Sequence, residues 1–319
     1  MDIINYYYYQ ELAKNLNMTQ TAKKLFISQQ TLSNRIKGME DYYGTLLFHR
    51  KPSLSLTSAG EYVLSFAQMI IKEEANLKNI ISDIKDDEMG ILRFGASTVR
   101  GLMCLTKIIP KFNERYPNVE IRYTDSLSTK LEALVEDGDL DFAVVLQKDI
   151  NNTLVQHHIL KDQIYICVPD NLLKEYYGDE AGTIKSRSLD GAYVKDFTRI
   201  PFSMYSNRLG KTIRACFESE GCIPKVKFTT SFSQLLVPLC AQGISACFIT
   251  QMNLSGIVDQ FADKEINIFP LYFEGKPMIQ DLSLIYHKDR YFPHYARHFL
   301  DILFKYFEDL EKTQLTRIC

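Results

Sequence analysis

The chain has 319 residues, 46% hydrophobic and 24% charged, with seven cysteines and a formal net charge of -2. That length and balance suit two or three globular units with sizeable cores and exclude a low-complexity chain. The start MDIINYYYYQ lacks a basic leader, no apolar run reaches the roughly 20 residues of a membrane span, and the cysteines form no C-x-x-C, so the expectation is a cytoplasmic protein without disulfide framework, zinc ribbon or membrane partner.

Charge is uneven: the first sixty residues hold seven Lys and Arg against four Asp and Glu, a net of +3. A basic end on an acidic body is compatible with nucleic-acid binding. Three helical patterns fit between residues 3 and 43. Ile4, Tyr7, Tyr8 and Leu12 recur at helical spacing, so the tyrosine run reads as packing. Thr19 stands where a second, short helix carrying Ala22, Leu25 and Phe26 would take its N-cap, and Phe26 to Ser28 make a turn. Ser28 can cap a third helix, whose Leu32, Ile36, Met39 and Tyr43 form the packing face.

The opposite face of SQQTLSNRIKG displays Gln29, Gln30, Thr31, Ser33, Asn34, Arg35 and Lys37. Two short helices with a tight turn, the second offering amides, hydroxyls and cations, are what a major-groove reader needs. Asn and Gln pair with adenine, Arg and Lys with guanine, and Ser or Thr with phosphate or base. Gln29, Gln30, Asn34 and Arg35 are therefore the candidates for base reading, and Ser33 and Lys37 for backbone contacts, with Thr31 beside them. Next, LLFHRKPSLSLTSAGE returns Leu46, Leu47 and Phe48 to the core, and puts Arg50 and Lys51 at the tip of a wing facing phosphates or the minor groove.

Residues 18–61 resemble the winged helix-turn-helix of the LysR-type transcriptional regulators, whose members read A-A-x-x-L, S-Q-P-A-L-S-R-x-I, L-E-x-x-L-G, L-F-x-R and L-T-x-A-G. Ala22 with Leu25, Ser28-Gln29, Leu32-Ser33, Ile36, Met39-Glu40, Gly44, Leu47 to Arg50 and Leu56 to Gly60 fill that frame. Gln30 replaces its Pro and Asn34 its Arg, which favours adenine over guanine at the base Asn34 faces. The resemblance implies a regulator and not an enzyme, binding double-stranded DNA and a small-molecule effector, with no cofactor, catalytic or metal residues.

From Ser58 to about Glu88 there is no Pro and, after Gly60, no Gly until residue 90. Phe66, Ile70, Leu77, Ile80 and Ile84 fall at steps of four and three, with Glu73 in the one polar place, the repeat of a helix pairing along a seam. The same spacing fits a helix lying on its own chain's core. The resemblance implies the first of these, the family's dimerisation helix, giving a winged helix-turn-helix domain over 1–60, a linker helix over 58–88 and a homodimer that assembles further as a dimer of dimers.

Beyond it strands and helices alternate. Residues 91–96, 119–125, 139–146 and 163–170 read as strands, with helices around 101–115 and 128–137. A second set follows: strand 200–205, helix 209–220, strand 225–230, helix 232–242 and strand 243–250. Strand 281–288 and a helix over 293–311 then return to the first set. LEALVEDGDLDFAVV and SQLLVPLCAQGISACFIT resemble the L-x-x-G-x-L-D-x-A and L-V-x-x-G-x-G-x-x-x-L-P stretches of the family's effector domain, with Ser245 for a Gly and Thr250 for the Pro. The implied fold is a two-lobed, periplasmic-binding-protein-like α/β domain over 91–310, lobe I being 91–162 with 266–310 and lobe II 163–265.

In such sheets ligands sit beyond the carboxyl ends of strands. Ser97, Thr98, Ser126, Ser128, Ser203, Thr229 and Thr230 follow strands or precede helices there, where hydroxyls and free N–H groups favour an anion such as a carboxylate; each also suits an ordinary cap or turn. Two alternatives stand beside an organic effector. Cys216 and Cys222 flank FESEG, and some family members sense oxidants through a cysteine pair in this region. A two-lobed binding protein or enzyme with a non-DNA assembly module is the other. His294 and His298, four apart, lack a metal-ligating partner in sequence, and His157 and His158 would point to opposite faces of a strand.

Overall fold

The computed structural model describes residues 1–84, 89–232, 235–256 and 265–312. Three helices open the chain, α1 (Ile3–Asn15), α2 (Met18–Lys24) and α3 (Gln29–Tyr43). On α1 the buried apolar residues are Tyr6, Tyr9 and Leu12, beside Gln10; Leu12 is as expected, but Tyr6 and Tyr9 take the place of Tyr7 and Tyr8, and Ile4 is 37% exposed. Both inward rings keep hydroxyl partners, Tyr9 Oη donating to Gly60 O at 2.8 Å and Tyr6 Oη meeting Tyr43 Oη at 2.9 Å. Asn17, not Thr19, caps α2, accepting from Gln20 N at 3.0 Å. Ser28 caps α3 as its sequence suggests, accepting from Thr31 N at 3.0 Å. Leu32, Ile36 and Met39 are at most 1% exposed, each contributing about 1.5–3 kcal/mol by burial.

Strands β1 (Phe48–His49) and β2 (Ser55–Leu56) pair antiparallel as the wing. Leu47 and Phe48 enter the core, but Leu46 faces solvent at 60% exposure, contrary to its reading as a core residue. Helix α4 (Ser58–Ile84) starts hard against the wing: a Cβ on Gly60 would lie 2.1 Å from Leu47 O. Its Val63 and Ala67 are buried, with Ile70 and Ile71 packed on the same core, while Phe66, Leu77 and Ile80 are exposed. The expected continuation over 85–88 and the side chain of Ile84 lie outside the described residues.

Lobe I is built from β3 (Gly90–Ala96), α5 (Thr98–Arg115), β4 (Val119–Asp125), α6 (Ser128–Glu136) and β5 (Phe142–Leu146), with β3 running parallel between β4 and β5. Strand β6 (Leu154–Pro169) then passes from lobe I into lobe II without a break. Lobe II adds α7 (Asp170–Tyr177), α8 (Ala181–Ser188), β7 (Pro201–Tyr205), α9 (Arg208–Ser219), β8 (Lys225–Thr230), α10 (Leu236–Ala241), β9 (Ala246–Thr250) and α11 (Gln251–Ser255). Then come β10 (Ile266–Pro270), β11 (Tyr272–Phe273), β12 (Lys276–Pro277), β13 (Ile279–His287) and α12 (His294–Lys312). The first half of β6 pairs with β13 and its second half with β9 and β10. Ile266–Pro270 therefore stays with lobe II, and the return to lobe I starts later than residue 266. No helix of the described residues is long and apolar enough to cross a membrane.

Candidate DNA-reading face and effector cleft

On α3, packing takes Leu32, Ile36 and Met39 inward and leaves Gln29, Gln30, Asn34 and Lys37 exposed and Ser33 partly so. Gln30 Nε2 donates to Asn34 Oδ1 at 3.0 Å, so two amides one turn apart are already paired on that face. Gln29 accepts from Thr19 Oγ1 at 3.2 Å, and the Thr31 hydroxyl is drawn into the cap by Ser28 Oγ at 2.8 Å. Arg35 leaves the face: its guanidinium donates to Asn5 Oδ1 on α1 at 3.1 Å. With no acidic residue in the first turns of α2 and α3, the positive ends of both helices stay open to anions such as phosphate.

The wing is held by Glu40, a residue of the sequence frame to which the sequence assigns no role. Glu40 is buried at the inner side of α3, accepting from Leu47 N at 3.0 Å and Phe48 N at 3.4 Å, while Arg50 donates to its other oxygen at 3.1 Å. Arg50 thus braces the wing against α3, and Lys51 is the exposed cation at its tip. Charge spacing alone gives no hint of this pairing, because its partners are backbone groups brought in by the turn.

In lobe I the candidates gather beyond β3 and β4. Ser97 sits at the N-cap of α5 without a side-chain capping bond, leaving its hydroxyl and the first-turn N–H groups open. Thr98 Oγ1 donates to Asp125 Oδ2 at 2.6 Å, Ser126 N reaches Ala96 O at 3.4 Å, and Ser128 Oγ accepts from Leu146 N at 3.1 Å. Lobe II contributes less than its sequence suggests. Ser203 is 1% exposed and bonded to Ser245 Oγ at 2.6 Å, because strand alternation turns it into the core; it is not a ligand contact. Thr230 Oγ1 accepts from Phe232 N at 2.9 Å in a turn, and Thr229 is exposed on β8.

Two ionisable residues missed by a search for hydroxyls stand at this place. Arg100, in the first turn of α5, makes no hydrogen bond or ion pair among the described residues; burial pulls its pKa down, opposed by the charge of Asp162. Asp162 lies where β6 changes lobes, 3% exposed and accepting from Met252 N at 2.8 Å. Burial pushes its carboxyl up to about 6, against the hydrogen bonds from Met252 N and Thr250 and the charge of Arg100. Tyr123 Oη donates to Ala96 O at 3.1 Å and is pushed up to about 12, chiefly by burial. A guanidinium without a fixed partner, beside open helix N–H groups, can receive a carboxylate or phosphate.

Other features are quieter. A cavity of about 280 Å³ on lobe II is lined by Arg187 and Arg199, yet each already meets a carboxylate, Asp196 and Glu180. The Cys216 and Cys222 thiols are both pushed above the usual cysteine range by burial, opposite to the activation an oxidant sensor needs. His298 packs on Tyr116 and Phe112, while His294 lies 4.0 Å from Asp83; His157 meets Tyr286 and His158 meets Asp281. No group of three or more metal-ligating side chains occurs among the described residues.

Comparison with known proteins places these features in context. Residues 5–61 match the family described as bacterial regulatory helix-turn-helix protein, lysR family, and residues 85–308 match the LysR substrate binding domain. An uncharacterized HTH-type transcriptional regulator, YwbI of Bacillus subtilis (strain 168), is 27% identical over 98% of this chain and 99% of its own. A full-length OxyR variant from Pseudomonas aeruginosa has the same fold, with a TM-score of 0.65 at 17% identity over 97% of this chain and 95% of that one. Full-length CbnR complexed with its target DNA gives 0.54 at 15% identity, over 96% and 99%.

Proposed function

The chain belongs to the LysR family of transcriptional regulators, and from that premise we propose that α3 reads the major groove while an anionic small molecule, held between the lobes, adjusts the outcome. The observation that carries the first part is the capped, acid-free start of α3 with an exposed face of Gln29, Gln30, Ser33, Asn34 and Lys37. Gln29, Gln30 and Asn34 read base edges; Ser33, Lys37 and Lys51 meet phosphates; Thr31, Arg35 and Arg50 position the helix and wing. For the effector, Ser97, Thr98, Ser126 and Ser128 supply hydrogen bonds and Arg100 the counter-charge, with Thr229 and Thr230 on the opposing lobe. The exposed Phe66, Leu77 and Ile80 of α4 supply an apolar stripe for a second copy, forming a homodimer that places two readers about one DNA turn apart.

Fluorescence anisotropy on a duplex selected from a random pool by the full chain tests the reading. Asn34→Ala costs about 1–3 kcal/mol and relaxes preference at one base position, whereas Lys37→Ala weakens all sequences alike and flattens the salt slope by about one. Undiminished discrimination by Asn34→Ala removes that residue from the reading set.

A further inference from the structure

Among the described residues, the N-terminal unit and lobe I share no apolar core: the cluster around Tyr9, Leu32 and Phe48 draws on residues 6–71, and those of lobe I begin at Leu92. What joins them is polar and lies in two places. At the first, the turn of Asp137, Gly138 and Asp139 receives Gln68 Nε2 on Asp137 Oδ1 at 3.0 Å and Lys14 Nζ on Asp139 Oδ2 at 2.6 Å. At the second, Asn76 grips the loop between β13 and α12 with both ends of its amide, donating to Asp289 O at 3.0 Å and accepting from Tyr291 N at 3.1 Å. Lys72 pairs with Asp289 at 3.2 Å, and Asp83 accepts from Tyr291 Oη at 2.7 Å and His294 N at 3.1 Å. The buried Arg290–Asp141 ion pair links that loop to the chain just after the first turn.

Asn76 is 6% exposed with its amide oxygen and nitrogen both matched, which marks a formed contact and not a chance encounter. Lys14 and Asp139 are partly exposed, and an interface of this chemistry separates more readily than a shared apolar core. Its first half sits at the C-terminal end of α6, whose other end carries Ser128 beside the cleft. One nine-residue helix therefore touches both the proposed effector site and the DNA-reading unit.

We propose that these two contacts form a latch: closed, it fixes the angle between the reading head and lobe I, and displacement of α6 from the cleft side opens it. The latch rests on the reading of α3 as the DNA element and of the cleft as the effector site. Lys14→Glu and Asp139→Lys, singly and together in the full chain, test it through two measurements. One is amide exchange over residues 137–140 and 287–294; the other is the bend of a pool-selected duplex, read by energy transfer between its labelled ends. Each single reversal raises exchange at 137–140 about two- to fivefold, the size expected of one partly exposed ion pair, and changes the bend, and the double reversal restores both. Asn76→Ala does the same at 287–294.

Unchanged exchange in the single variants shows that the contact does not exist in solution, and altered exchange with an unaltered bend shows that it is passive; either overturns the latch. If the wild-type chain selects no DNA, the DNA reading fails, and the exchange measurement still decides whether the contact exists.

Discussion

Leu16 ends α1 in the left-handed conformation, with φ 48 and ψ 31, and 43% of its surface is exposed. A side chain with a Cβ costs about 1 kcal/mol there and glycine does not, so Leu16→Gly should stabilise the chain by about that amount. Chemical denaturation checks this as a higher midpoint at unchanged slope; a lower midpoint would mean that the leucine side chain packs usefully. At this scale the reading face was legible because helical periodicity separates Leu32 and Ile36 from Gln29, Gln30 and Asn34. Glu40 and Arg100 were not, because the surroundings of each are assembled by the fold: the turn brings Leu47 N and Phe48 N to one, and burial near the charge of Asp162 sets the other.

Helices and strands were visible in sequence wherever a pattern ran long. β3, β4, β7 and β8 stand within a residue of the strands expected, and α9 and α12 within one residue of their expected helices. Two kinds of element escaped. β6 was seen only in its second half, since LVQHHILKD mixes polar and apolar residues over a stretch paired with β13 on one side. The segment holding α7 and α8 has helices of only eight residues each, too short for a periodic pattern to stand out, and α8 has little apolar segregation of its own. The start of α4 shows how one atom governs an element's placement. Gly60→Ala would force α4 away from Leu47 O and disturb the Tyr9 hydrogen bond, lowering stability by roughly 1–3 kcal/mol. Thermal melting measures it, and an unchanged melting temperature would show that the helix can shift without loss.

For the whole molecule, the bilobal layout followed from alternating strands and helices, but the point of return did not, because β10 pairs with β6 and holds residues 266–270 in lobe II. Asp162 stands at that crossing and carries a pH signature. Its carboxyl, at about 6 in the folded chain, lies above the roughly 3.9 of an unfolded one, so the native state holds the proton more tightly between these values. Its contribution to stability therefore falls as pH rises from about 4 to 6 and changes no further above that. Asp162→Asn should make the slope of stability against pH less negative across that window in urea titrations, and an identical slope would exclude Asp162 as its source. The head's apolar core has a different consequence, one for inheritance. It runs through Val63 and Ala67 to Ile71, past the wing, so the interchangeable part is the head together with the first half of α4. A gene fusion joined at residue 60 would leave Tyr9 and Phe48 without their lid, whereas one joined after residue 71 carries a closed core to a new effector domain. Recombination that trades DNA specificities between such chains should leave its scars in the middle of that helix.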